Sequence, residues 1–174
     1  MNYRISKYSP SCRDINEAFT LNTWTSVSDI GKIFDNKKFC AIEYLDIEEK
    51  YWRTLRYFLG LYEIKRLKVQ GLEMNSMLPS FFSKSKYFCN RDFKKYLREG
   101  SICPLKIIEI ITRLCLRNQV WCRLQSDEND YIHFGYDYYM YFGSRRNIEV
   151  NIDTNKIPLG IYVEVYDSPY MATS

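Results

Sequence analysis

His133 is the only histidine in the chain and the natural general-base candidate, because imidazole alone among side chains ordinarily titrates near neutrality. Asp137, four residues on, is of the type that orients a neutral imidazole. Phe134-Gly135-Tyr136 between them reads as a turn joining two strands, so spacing alone does not bring the pair into contact. A hydrolase centred on His133, such as a ribonuclease, would need a lysine or arginine and tyrosines to converge on it in space without a local motif. A strand histidine flanked by aromatics otherwise reads as a packed structural residue. The adjacent carboxylates Glu48-Glu49 and Asp127-Glu128 read as surface charge, because neighbours on a helix point in different directions and neighbours in a turn are solvated.

Cys12, Cys40, Cys89, Cys103, Cys115 and Cys122 include no C-x-x-C pair, and one histidine leaves no zinc-finger or ribbon spacing. They read as reduced thiols that serve as small hydrophobes. Phosphate-loop, dinucleotide, nucleophile-elbow and H-E-x-x-H patterns are all missing from the sequence. We therefore expect no catalytic residues, metal or cofactor, and an action that consists of binding another macromolecule. Nucleic acid is one such partner: Lys84, Lys86, Tyr87 and Phe88, and then Arg91-Asp92-Phe93-Lys94-Lys95-Tyr96, interleave cations for phosphates with rings for bases. Residues 1–49, 50–117 and 118–174 carry net charges of −2, +10 and −4, so the middle is basic and the end acidic within an overall +4. That total is modest for a domain whose affinity would rest on neutralising phosphates.

These groups must be positioned by a fold that the hydrophobic pattern outlines. Tyr3 to Tyr8 alternates as a strand. Ser26 and Asp29 form a capping-box pair that predicts a short helix from Val27 to about Phe34. Tyr44, Ile47, Tyr51, Leu55, Phe58 and Tyr62 recur at three- and four-residue spacing, widened by Leu45, Trp52 and Leu59, and predict the strongest helix, from about Ile42 to Tyr62. Lys65 to Val69 reads as a short strand and the aperiodic Gly71 to Lys86 as a loop. Two helices follow, Arg91 to Arg98 and Leu105 to Leu116, the second led by Pro104. From Gln119 onward the period becomes two, with strands expected at Val120–Leu124, Tyr131–Phe134, Asp137–Phe142, Ile148–Ile152 and Gly160–Tyr166, and a turn at Gln125–Asp130. Helices crowded forward and consecutive strands behind predict one α+β domain over residues 1–174, a mainly antiparallel sheet with helices packed on one side.

A chain of 174 residues is long enough for one hydrophobic core. The N-terminal residues lack a secretory apolar stretch and no window approaches ~18 uninterrupted apolar residues, so we expect a cytoplasmic protein with no membrane contact. Aromatic residues make up 17% of the chain and tyrosine dominates them. Tyrosine supplies contact area at low entropic cost in cores and interfaces alike.

Tyr3-Arg4-Ile5-Ser6-Lys7-Tyr8, Trp24-Thr25-Ser26-Val27-Ser28-Asp29-Ile30-Gly31, Trp121-Cys122 and His133-Phe134-Gly135-Tyr136-Asp137-Tyr138-Tyr139-Met140-Tyr141 resemble segments of a group of small, uncharacterised bacterial proteins. In kind, the chain is similar to immunity proteins of contact-dependent growth inhibition and related polymorphic toxin systems. That resemblance implies one-to-one occlusion of a cognate toxin domain, often a nuclease, with acidic residues giving rate and selectivity and aromatics giving affinity. On this reading the partner-binding candidates are Asp127, Glu128, Asp130, Tyr136, Asp137, Tyr138 and Tyr141. Net positive charge departs from the acidic protein expected against a nuclease, which leaves the basic Arg53 to Lys95 region as an alternative face for an acidic partner.

Overall fold

The computed structural model describes residues 1–16, 19–74, 91–146 and 151–170, with only the backbone of residues 91–93. The aromatic stripe becomes α1 (Ala41–Leu61), and the apolar run behind Pro104 becomes α2 (Leu105–Leu116). Glu43 reaches back to the Cys40 N–H at 3.4 Å at the start of α1, and Pro104 caps α2, where a missing N–H costs nothing. Tyr44, Tyr51, Leu55 and Phe58 are fully buried, whereas Leu45 lies at the edge of the stripe and is exposed.

Strands β1 (Asn2–Ser6), β4 (Arg66–Met74), β5 (Ile102–Pro104), β6 (Val120–Gln125), β7 (Tyr131–Phe134), β8 (Met140–Gly143) and β9 (Tyr162–Val165) form one antiparallel sheet in the order β5-β4-β6-β7-β8-β1-β9. The chain is thus α+β, with its helices on one face of the sheet. Register places Val69, Leu124, Ile132, Phe142 and Tyr3 in one cross-strand row, all buried in the core that α1 and α2 cover. The next row, of opposite side-chain phase, brings His133, Tyr141, Arg4 and Glu164 side by side on the second face. Residues 166–170 return across that face: Tyr166 stacks over Arg4 at 3.9 Å, and Tyr170 packs against His133 and Tyr141.

Several local expectations change in the fold. The 3₁₀ turn Val27–Asp29 keeps the capping box, with the Asp29 carboxylate accepting from the Ser26 N–H. It stops there, because Ile33–Phe34 (β2) pairs with Lys37–Lys38 (β3) through Asp35-Asn36, both at positive φ. Residues 91–96 wind as 3₁₀ helix, and Gly71 to Met74 extend β4. Residues 75–90 lie outside the described residues and take with them Cys89 and the Lys84 to Phe88 cluster. The turn expected at Phe134-Gly135-Tyr136 instead centres on Asp137 and Tyr138, closed by the Tyr139 N–H donating to the Tyr136 carbonyl at 3.3 Å, because Phe134 still pairs in β7; the strand expected from Asp137 therefore begins at Met140. Of the strand expected at Ile148–Ile152, residues 148–150 are not described, and Asn151 and Ile152 are not in strand. Cys103, Cys115 and Cys122 are buried free thiols, with the sulfurs of Cys115 and Cys122 3.8 Å apart. Among the described residues no helix is long and apolar enough to cross a membrane.

Glu48 overturns the reading of Glu48-Glu49 as surface charge. Its carboxylate is fully buried, receives two hydrogen bonds from Arg117 at 2.6 Å and one from Arg113 at 3.2 Å, and so ties α1 to α2. Only Glu49 reaches solvent, and it binds the same Arg113 at 2.7 Å.

Candidate functional site

The tip of the β7–β8 hairpin is strained in a way its sequence does not demand. Asp137 and Tyr138 both take left-handed backbone angles, φ 56° and 65°, and for a bulky aromatic such as Tyr138 that geometry persists only when the surroundings impose it. The surroundings are aromatic. The Tyr138 ring is 5% exposed and lies edge-on to Trp24, Tyr44 and Tyr51, with centroids 5.0 to 5.7 Å away. The Tyr51 hydroxyl donates to the Tyr138 carbonyl at 2.7 Å, and the Tyr8 hydroxyl donates to the Asp137 carbonyl at 2.6 Å. With its inner half clamped, the hairpin holds Tyr136, 85% exposed, and the Asp137 side chain out toward solvent.

Beside this tip lies a cleft of about 240 Å³ walled by Trp121, Tyr136, Tyr139 and Tyr170 and floored by the last turn of α2. It opens along Asn118, Trp121, Tyr136 and Tyr170 into a wider groove bordered by Glu73 and Met74. Its walls are held in place from behind. The Trp121 indole N–H donates to the Phe134 carbonyl at 3.0 Å, and Asn118 donates to the Ser26 hydroxyl at 3.1 Å. The Tyr170 ring sits 6.1 Å from Trp121, and its N–H donates to the Ser168 hydroxyl at 3.2 Å. Burial raises the Tyr170 phenol pKa, a shift that a hydrogen bond with the Tyr136 backbone partly offsets and the neighbouring Asp137 adds to.

The seven partner-binding candidates separate into three environments. Tyr136 and Asp137 stand exposed at this end of β7. Asp127 and Glu128 are exposed in the turn at its opposite end, where Glu128 pairs with Arg146 at 2.9 Å. The other three face inward. Asp130 is fully buried, bound to Arg146 at 2.9 Å and to the Ser144 hydroxyl at 2.6 Å; Tyr138 is the core clamp; and Tyr141, 6% exposed, packs against Tyr166 and Tyr170. One continuous patch containing all seven does not exist, because four residues of β7 separate the two turns. Trp121, Tyr139, Tyr170, Asn118, Glu73 and Met74 were not among the sequence candidates. Trp121 carried a signal: in β6 it shares the polar phase of the alternation with Arg123 and Gln125, while Val120, Cys122 and Leu124 point inward.

His133 lies beneath this region, 3% exposed and stacked on Tyr131 at 4.4 Å. Its Nδ1 meets the Ser168 hydroxyl at 2.8 Å. Burial, reinforced by the charge of Arg123, lowers its pKa to about 4, so the ring is neutral at physiological pH. Among the described residues no hydrogen bond joins it to Asp137, which is at the solvent side of the hairpin. No cluster of three metal-ligating side chains occurs among the described residues. Separately, Arg53, Arg56 and Lys156 border a shallow groove with Tyr57 on the outward face of α1.

The fold is that of an α+β protein with an all-antiparallel seven-stranded sheet, and an aromatic-lined cleft lies at one end of it. No family model, curated protein or solved structure matches the chain.

Proposed function

We propose that the protein is an immunity-type inhibitor that binds a cognate bacterial toxin domain of the nuclease kind, one to one, and covers its active-site cleft. The observation that supports this reading is the clamped hairpin tip, where an aromatic ring and a carboxylate are presented in a fixed geometry. Preorganised groups lose little conformational freedom on binding, so more of their contact energy survives as affinity. Tyrosine and tryptophan are the residues that dominate interface energetics when they enter a desolvated pocket. A carboxylate beside them speeds encounter with a basic nuclease cleft and selects against uncharged partners. An interface of the ordinary size, about 1,600 Å² in total, would extend well beyond the tip onto its surroundings.

Recovery of the tagged protein from its host at about 0.3 M salt, followed by mass spectrometry, tests the reading, because apolar anchors outlast screened surface charge. A stoichiometric protein partner whose toxicity the chain suppresses supports it. Recovery with no protein partner, or a partner whose toxicity is unaffected, overturns it.

A second reading, nucleic-acid binding, is favoured by Arg53, Arg56 and Lys156 around one groove with Tyr57. Such binding would weaken steeply with salt as counterions compete, whereas the protein interface would not.

A further inference from the structure

Three features of the cleft at the hairpin tip point to one kind of occupant. Its walls are aromatic side chains: Trp121, Tyr136, Tyr139 and Tyr170. One carboxylate, Asp137 on the hairpin, lines it, and a second, Glu73 near the end of β4, lines the adjoining groove. Among the described residues that line it, none is a lysine or arginine. The faces of aromatic rings are negative, so rings and carboxylates together make a site for a cation that has shed part of its water. At about 240 Å³ the enclosed part falls below the usual range for drug-sized ligands and suits a single side chain.

Resting on the toxin-binding reading above, we infer that this cleft receives a basic side chain of the protein partner, arginine in preference to lysine. A guanidinium is planar and weakly hydrated, so it stacks between rings while its N–H groups reach Asp137 and Glu73; an ammonium is more strongly hydrated and lacks the stacking plane. The site is prepared in the free protein. Trp121 is fixed by its bond to the Phe134 carbonyl, and the backbone of Asp137 is fixed by Tyr8. A cation entering between them displaces no internal ion pair involving Asp137 or Glu73 among the described residues.

The test needs no toxin. Trp24 and Trp52 are buried in the core and Trp121 is half-buried in the cleft, so the indole N–H signals of the ¹⁵N-labelled protein contain one reporter and two internal controls. Trp121→Phe assigns the reporter. Titration with Nα-acetyl-arginine amide should shift the Trp121 signal saturably, with dissociation in the millimolar range expected for one side chain (on the order of 1 mM or weaker), and leave Trp24 and Trp52 unmoved. The neutral isostere Nα-acetyl-citrulline amide should not shift it. Asp137→Asn, which keeps a residue type that tolerates the left-handed backbone, and Tyr136→Ala, at a solvent-exposed ring, should each weaken binding about threefold or more. No saturable shift with the arginine probe, or an equal shift with citrulline, overturns the assignment. Failure to find a toxin leaves this titration unaffected, so the two readings fail separately.

Discussion

The Tyr51 hydroxyl joins the core helix to the strained hairpin by donating to the Tyr138 carbonyl at 2.7 Å. It simultaneously accepts the Lys7 N–H at 2.8 Å, so one phenol satisfies two backbone groups far apart in the chain. Burial raises its pKa well above the usual phenol value, which keeps it a donor even in alkaline solution.

Tyr51→Phe preserves the ring and deletes only these bonds, leaving two backbone groups without their partner. The expected loss is about 1–3 kcal/mol of stability, measured by urea unfolding. Amide exchange at residues 136–139 should accelerate relative to the rest of the sheet, because the left-handed tip has lost one of its two clamps. Unchanged exchange there would mean that the Tyr8 bond and packing of the Tyr138 ring hold the hairpin without the Tyr51 hydroxyl.

Gly143 pairs directly across from Tyr131, and the Tyr131 ring lies over it where a Cβ would stand. Gly143→Ala therefore forces that ring to move within a packed face that also holds His133. Overpacking of this kind costs about 1–3 kcal/mol and should appear as a lower thermal midpoint with altered Tyr131 and His133 ring signals. A variant as stable as the parent would show the ring free to swing aside.

Glu48 neutralises buried arginine charge at the contact of α1 with α2. Glu48→Gln leaves Arg117 buried without its carboxylate and should destabilise the protein by about 3–5 kcal/mol in urea unfolding. Replacing both partners, Glu48→Gln with Arg117→Met, removes the uncompensated charge, so the double variant should be more stable than the single one. A double variant no better than Glu48→Gln would place the cost in packing and not in charge.

The pH dependence of His133 has a definite sign. The unfolded chain takes up its histidine proton near 6.5 and the native chain only near about 4. Between those values the unfolded state binds more protons, so stability falls as pH drops through that window, while above 6.5 the contribution is complete. As the chain has one histidine, its Cε1–H resonance can be followed alone. It should stay at its neutral position down to about pH 5, and His133→Gln should flatten the decline of the urea midpoint between pH 6.5 and 4. Titration near 6.5 would show that the ring is not buried in solution.

How much of this was legible in the sequence differs from residue to residue. The stripe from Tyr44 to Tyr62 fixed α1 because a helix buries whatever recurs every three to four residues. Glu48 lies four residues after Tyr44 and three before Tyr51, so its place within that stripe was visible; its partners Arg113 and Arg117, more than sixty residues away, were not. Asp130 reads in sequence as one more acidic turn residue, and only the return of Arg146 and Ser144 shows that it is an internal ion-pair partner.

By itself, then, the sequence determined the elements: two principal helices and a sheet built largely from its second half. These follow from periodicity and turn chemistry, which act over a few residues and need no distant partner. Tertiary structure alone decided the cleft. Trp121, Tyr136 and Tyr170 come from three separate segments, and Tyr138 points inward only because Trp24, Tyr44 and Tyr51 are there to receive it. Convergence of this kind depends on strand order and register, which long-range pairing sets and local pattern does not encode.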